Sequence, residues 1–101
     1  MIYITVYGTE TDVWVGNHDA FEAFAEAVRT AARSLPGIDR DPVELLLEPD
    51  GDWIEDHQAA EIGSRLALLE DLVEPGQRAA VAKAASACRR AVEESRPLRF
   101  W

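Results

Sequence analysis

Two helical hydrophobic patterns separated by a strong chain breaker fill the second half of the 101-residue chain, and they restrict its fold more than any other feature. In each pattern the apolar residues recur at intervals of four, three and four positions, which places them on one face of a helix. They are Ile62, Leu66, Leu69 and Val73 before the breaker, and Val81, Ala85, Cys88 and Val92 after it. The breaker is Glu-Pro-Gly at residues 74–76. These features predict an αα-hairpin whose apolar faces share one core.

The first third of the chain predicts a β-hairpin followed by a helix. Residues 2–7 alternate strictly between aliphatic and Tyr or Thr side chains, and residues 13–15 alternate again after a polar turn. We expect the two valines of the second strand on the aliphatic side and Trp14 beside the tyrosines. Asn17 or Asp19 can cap the next helix, which runs to about Ser34, before Pro and Gly at residues 36–37.

The middle of the chain predicts the centre of a sheet. Residues 43–48 read as a strand with Val43, Leu45 and Leu47 on the inner face and Leu46 on the outer face. A Pro-Asp-Gly turn at residues 49–51 leads to a short return strand, with a helix beginning near Asp56 or His57. Asp52 as the N-cap of that helix, with Glu55 at N3, is the alternative. Residues 98–101 alternate after Pro97 and predict a final strand at a sheet edge.

Together these segments predict one domain spanning residues 1–101 with the order β-β-α-β-β-α-α-β. The expected fold class is α+β, a mostly antiparallel sheet of four to five strands with three helices on one face.

Alternation then places all three tryptophans and both tyrosines on the sheet face that the helices leave open, among carboxylates. Aromatic rings of this kind are typical of protein-binding surfaces, although they can also serve only as cross-strand packing. The predicted partner-binding residues are Tyr3, Tyr7, Trp14, Glu44, Glu48, Asp50, Asp52, Trp53 and Trp101.

The charge distribution favours a basic protein partner. The net charge is −9; residues 1–77 hold 17 acids and 4 Arg, giving −13, and residues 78–101 hold 6 basic residues and 2 acids, giving +4. A single-stranded nucleic acid could stack on the rings, but its phosphates would meet a negative field with only Arg99 to oppose it. We therefore expect no nucleic-acid binding, and a homodimer through the open face is the alternative use of this surface.

A search for catalytic or metal-binding patterns predicts neither an enzyme nor a cofactor. His18 and His57 have no metal-ligand spacing between them, and Cys88 is the only cysteine, so neither a disulfide nor a Cys-based zinc site can form within the chain. Phosphate-binding glycine loops and nucleophile motifs are missing from the sequence. The best metal candidate is the run Asp50, Asp52, Glu55, Asp56 and His57, but it lacks the register of a calcium loop, and turn formation and helix capping explain its acids.

In size, acidity and lack of catalytic motifs the chain resembles bacterial immunity proteins and antitoxins that neutralise nucleases, and its Arg and Ala bias is typical of a GC-rich bacterial genome. That resemblance implies a small acidic inhibitor of a basic bacterial protein but transfers no residue roles. A DNA-mimicking anti-defence protein is the first alternative, and a small metal-binding domain or enzyme the second. No apolar run approaches the length of a membrane span and no secretion signal precedes the first strand, so we expect a cytoplasmic protein.

Overall fold

The computed structural model describes residues 2–6, 12–35, 42–47 and 53–100 of the chain. Helices and strands follow one another as β1 (Ile2–Val6), β2 (Asp12–Gly16), α1 (His18–Arg33), α2 (Val43–Leu47), β3 (Trp53–Ile54), α3 (Asp56–Leu69), a 3₁₀ turn (Pro75–Gln77), α4 (Arg78–Glu94) and β4 (Leu98–Phe100).

The protein is mostly helical, so the predicted α+β class with its large sheet and three helices is wrong. The α-helices contain 16, 5, 14 and 17 residues. The sheet is small: its main pairing is the hairpin of two five-residue strands, to which β4 and β3 add only three and two residues. The described order is therefore β-β-α-α-β-α-α-β.

The predicted central strand is the helix α2, and its pattern of buried side chains shows why. Val43, Leu46 and Leu47 are buried, and Leu45 is half-buried. Spacings of three and four residues belong to a helix, whereas a strand would have buried every second residue. Pro42 supports the helix start, because the Leu45 N–H donates to the Pro42 carbonyl at 3.2 Å and the missing Pro N–H is not needed there. Leucine also has a higher helix than strand preference.

With the middle segment helical, the C-terminal strand lies inside the sheet and not at its edge. The strand order is β2-β1-β4-β3, with β4 antiparallel to both β1 and β3. Pro97 is compatible with this position because it precedes the first residue of β4. Val6, Leu98 and Ile54 occupy one row across three strands, and all three are fully buried.

The register of the hairpin differs from the one that alternation predicted. Ile4 is paired with Trp14, and Tyr3 is paired with Val15. The register shifts between Ile4 and Thr5, which is the signature of a bulge. The hairpin itself is confirmed, but its pairing does not group Trp14 with Tyr3.

Helix α4 is the central helix of the molecule, since it contacts β1, β2, β4, α1 and α3. Its buried residues are Val81, Ala84, Ala87, Cys88 and Ala91. The alanines let α4 approach several neighbours closely, so its buried face is wider than the predicted stripe. Val92, expected on that stripe, is 42% exposed.

The predicted αα-hairpin is confirmed by the close packing of α3 on α4. Gly63 of α3 lies at the tightest point, where a Cβ atom would come within 2.9 Å of the Cys88 Cβ. A glycine that costs about 1 kcal/mol inside a helix is thus explained by the approach of a second helix.

Side-chain caps define where two helices begin, and Asn17 is one of the two α1 caps that the sequence predicted. Asn17 is the N-cap of α1, and its Oδ1 accepts from the Ala20 N–H at 2.7 Å. Glu55 precedes α3, and its N–H donates to Gln58 Oε1 at 3.0 Å.

Among the described helices, none combines the length and the apolar character needed to cross a lipid bilayer.

Candidate functional site

Trp53 is the predicted contact residue that the structure describes most fully. It lies on β3, the edge strand next to β4, and its side chain is 43% exposed while the adjacent Ile54 is fully buried. This contrast follows from alternation, which turns one side chain of the strand into the core and the next one out to solvent. The prediction that Trp53 faces outward is therefore confirmed.

Arg99 holds the indole of Trp53 in place. The two residues are directly opposite each other in the β3–β4 register, and the guanidinium carbon of Arg99 lies 5.3 Å from the centre of the Trp53 ring. A cation in this position is attracted by the negative face of the ring, which contributes about 0.5–1 kcal/mol at an exposed site. On the other side of β4, Thr5 is the register partner of Arg99. Arg99 thus lies over one face of an indole that is 43% exposed.

Glu44 lies on α2 and not on a strand, and its carboxylate binds Arg29 of α1. Arg29 Nε donates to Glu44 Oε1 at 3.2 Å, and Nη2 donates to Oε2 at 3.3 Å. This bidentate ion pair links α2 to α1 at the protein surface. The Glu44 carboxylate therefore has a structural role that the sequence did not predict. With Glu44 assigned to a strand, its pairing with Arg29 of α1 was not expected.

Several of the predicted contact residues cannot be placed beside Trp53. Tyr3 and Trp14 contribute backbone to β1 and β2, and their side chains lie outside the described part of the structure. The remaining predicted positions lie outside the described residues altogether: Tyr7, Glu48, Asp50, Asp52 and Trp101.

Three of the five residues of the metal candidate, Glu55, Asp56 and His57, lie at the start of helix α3. The Oδ1 of Asp56 accepts from the His57 N–H at 2.9 Å and lies 3.9 Å from His57 Nδ1. Within residues 2–6, 12–35, 42–47 and 53–100, no three His, Cys, Asp or Glu side chains form a group that could hold a metal ion. Asp50 and Asp52 fall outside those ranges.

Burial dominates the chemistry of the single thiol. Cys88 lies in the core between α3 and α4, and loss of solvation raises its pKa to about 12, against a smaller opposing effect of a backbone hydrogen bond. A thiol with such a pKa stays protonated at neutral pH and is a poor nucleophile.

Sequence reasoning missed three exposed aliphatic side chains: Leu68 on α3, Leu72 in the turn after α3 and Val92 on α4. Leu68 is 63% exposed, Leu72 46% and Val92 42%. The signal for the two leucines was present, because neither belongs to the apolar stripe of α3. Val92 could not have been recognised, since its spacing matched the predicted stripe of α4.

Two open grooves border these helices. One, of about 530 Å³, lies along α3 and α4 and is lined mainly by alanines, Gly63 and Val92. The other, of about 390 Å³, lies between α1 and the turn at residues 72–74, and its lining includes Leu72, Glu26 and Glu74.

The chain matches no protein-family model, no curated protein and no solved structure at a significant level.

Proposed function

We propose that this protein is a small acidic interaction module that acts in the cytoplasm, and that it binds a basic protein through a surface centred on Trp53. The observation that carries the proposal is the exposed indole of Trp53 on the edge strand β3. The guanidinium carbon of Arg99 lies 5.3 Å from the centre of its ring. Tryptophan is the residue type most enriched at the energetic centres of protein interfaces.

The exposed part of the indole is large enough to anchor a complex. A tryptophan side chain can bury up to about 250 Å², so an exposed fraction of 43% leaves roughly 100 Å² for a partner. At about 25 cal/mol per Å² its burial would contribute about 2.5 kcal/mol. The stacking on Arg99 restricts the ring before binding, which reduces the entropy lost when a partner orders it.

Charge supports a basic partner. The chain carries −9 overall, and Glu55 and Asp56 lie two and three positions after Trp53. A negative surface potential speeds the encounter with a positively charged protein and makes the association rate sensitive to salt. We expect an apolar side chain of the partner against the exposed part of the indole and its basic groups toward the acids.

The test is a quantitative comparison of two single-residue variants. Tagged wild-type protein, Trp53→Ala and Leu68→Ala would be used to recover partners from the native cell, and the recovered protein would then be purified and titrated. Leu68 is the matched control because it is also an exposed large apolar residue. We expect Trp53→Ala to weaken binding about 30-fold or more, from about 2 kcal/mol of lost burial, and Leu68→Ala to bind like the wild type.

Undiminished affinity of Trp53→Ala for the recovered partner would reject this surface. A recovered DNA-binding enzyme whose affinity falls steeply with salt and does not depend on Trp53 would favour the DNA-mimic hypothesis instead.

A further inference from the structure

The groove between α1 and the turn at residues 72–74, here called the α1 groove, combines apolar surface with two carboxylates. Its volume is about 390 Å³, and its apolar lining includes Ala23, Ala27 and Leu72. Leu72 is 46% exposed, although the next residue of the turn is buried. Glu26 of α1 and Glu74, which precedes the 3₁₀ turn, line the same groove. Two acids that are distant in the sequence thus meet beside one apolar surface.

The protein itself does not neutralise these two carboxylates. Both glutamates are exposed, and within the described part of the chain neither side chain forms an ion pair or a hydrogen bond. Arg29 follows Glu26 by three positions on α1, but its guanidinium binds Glu44. The α1 groove therefore keeps its negative charge, and it belongs to the part of the chain, residues 1–77, that carries −13.

We propose that the α1 groove binds a lysine or arginine side chain from a basic segment of another protein. Such side chains are hydrocarbon along most of their length and charged only at the tip. The hydrocarbon stem lies against Ala23, Ala27 and Leu72, and the cationic tip lies toward Glu26 and Glu74.

The chemistry of the groove selects this occupant over two simpler ones. A wholly apolar side chain would remove water from two carboxylates without pairing them, which is unfavourable. A small free cation would pair with the acids but would leave the exposed part of Leu72 in water. Only a ligand that is apolar along its stem and positive at its end satisfies both parts of the surface, and the negative field of the chain attracts it from a distance.

NMR titration of the full ¹⁵N-labelled chain tests this site with a defined probe, a short blocked peptide of alternating arginine and serine. We expect the chemical-shift changes to centre on residues 23–31 and 72–74, with a Kd on the order of 1 mM at low salt. A peptide with glutamate in place of arginine should cause no such changes. Binding of the arginine peptide should weaken as salt is added, because the ion pairs lie at the surface.

Two pairs of matched variants separate the groove from the overall charge. Glu26→Gln/Glu74→Gln should raise the peptide Kd about fivefold or more. Glu61→Gln/Glu93→Gln removes the same charge from exposed positions outside the α1 groove and should change the Kd less than about twofold.

The second pair of variants tests the apolar contact with the stem. Leu72→Ala should raise the Kd about threefold, whereas Leu68→Ala, an exposed leucine that does not line the groove, should change it less than about 1.5-fold. Circular dichroism would verify that all four variants are folded.

Equal effects of the two double variants would overturn the proposal, because the peptide would then respond only to net charge. Shift changes centred on Trp53 would also overturn it. Groove signals that move with protein concentration in the absence of peptide would make a second copy the occupant and would overturn it as well. The site takes a ligand of the same charge as the proposed partner but does not rest on the Trp53 surface. Trp53→Ala should leave the peptide Kd unchanged, so either proposal can fail alone.

Discussion

Substitution of Gly63 by alanine tests the closest contact in the core. In an isolated helix this change is favourable by about 1 kcal/mol, because alanine has the higher helix propensity. Here the new Cβ would lie 2.9 Å from the Cys88 Cβ. Both Cβ atoms are fixed by their backbones, so no rotamer change relieves the overlap. The two helices would have to separate by about 0.6 Å or more to reach ordinary carbon–carbon contact near 3.5 Å.

The expected net effect is destabilisation. Overpacking of a well-filled core costs about 1–3 kcal/mol, and the gain in helix propensity offsets about 1 kcal/mol of it. We therefore expect Gly63→Ala to lower the free energy of unfolding by about 1 kcal/mol. Gly76→Ala is the matched control, since a Cβ at Gly76 meets nothing within 4 Å. It should raise stability by about 0.4–1 kcal/mol by restricting the unfolded chain.

The measurement is urea unfolding followed by circular dichroism at the helix band. The two variants should differ by about 1.5–2 kcal/mol, or on the order of 10 °C in Tm for a domain of this size. Adding Cys88→Gly to Gly63→Ala moves the glycine from α3 to α4 and should remove most of the overlap between the two Cβ atoms. We expect this relief as a favourable coupling free energy in the double-mutant cycle. If Gly63→Ala stabilises the protein as much as Gly76→Ala does, the proposed contact between α3 and α4 is refuted.

Two further substitutions test the end of α4 and the buried thiol. Ser95 ends α4 with φ of 52°, in the left-handed region, so Ser95→Gly should stabilise the protein by about 0.5–1 kcal/mol in the same urea assay, and an unchanged or lower stability would contradict that backbone geometry. The Cys88 pKa rises from 9.0 to about 12 on folding, so the unfolded chain loses its thiol proton first and stability should fall as pH rises above about 9, by up to about 1.4 kcal/mol per pH unit. Cys88→Ala should remove this part of the slope, and identical pH profiles for the two proteins would show that the thiol is not buried as described.

Trp53 shows how far local pattern determines a surface. Alternation correctly predicted that Trp53 faces out and Ile54 faces in, because each depends only on its own strand. The stacking of Arg99 on Trp53 depends on which strands are neighbours, and no local pattern contains that information. The sequence thus predicted Trp53, the central residue of the candidate surface, but not the contact with Arg99 that positions its ring.

The sequence by itself determined the elements whose patterns are long or strongly punctuated. The αα-hairpin, helix α1 and the N-terminal β-hairpin all follow from repeated spacing, although the sequence left Asn17 and Asp19 open as the cap of α1. Only the tertiary structure decided that Val43–Leu47 is a helix, because five residues satisfy the spacing of a strand and of a helix almost equally. The tertiary structure also placed β4 inside the sheet, between β1 from the other end of the chain and the short strand β3. Backbone periodicity is a local property, whereas strand order and the choice of buried face depend on which distant segments exclude water from one another.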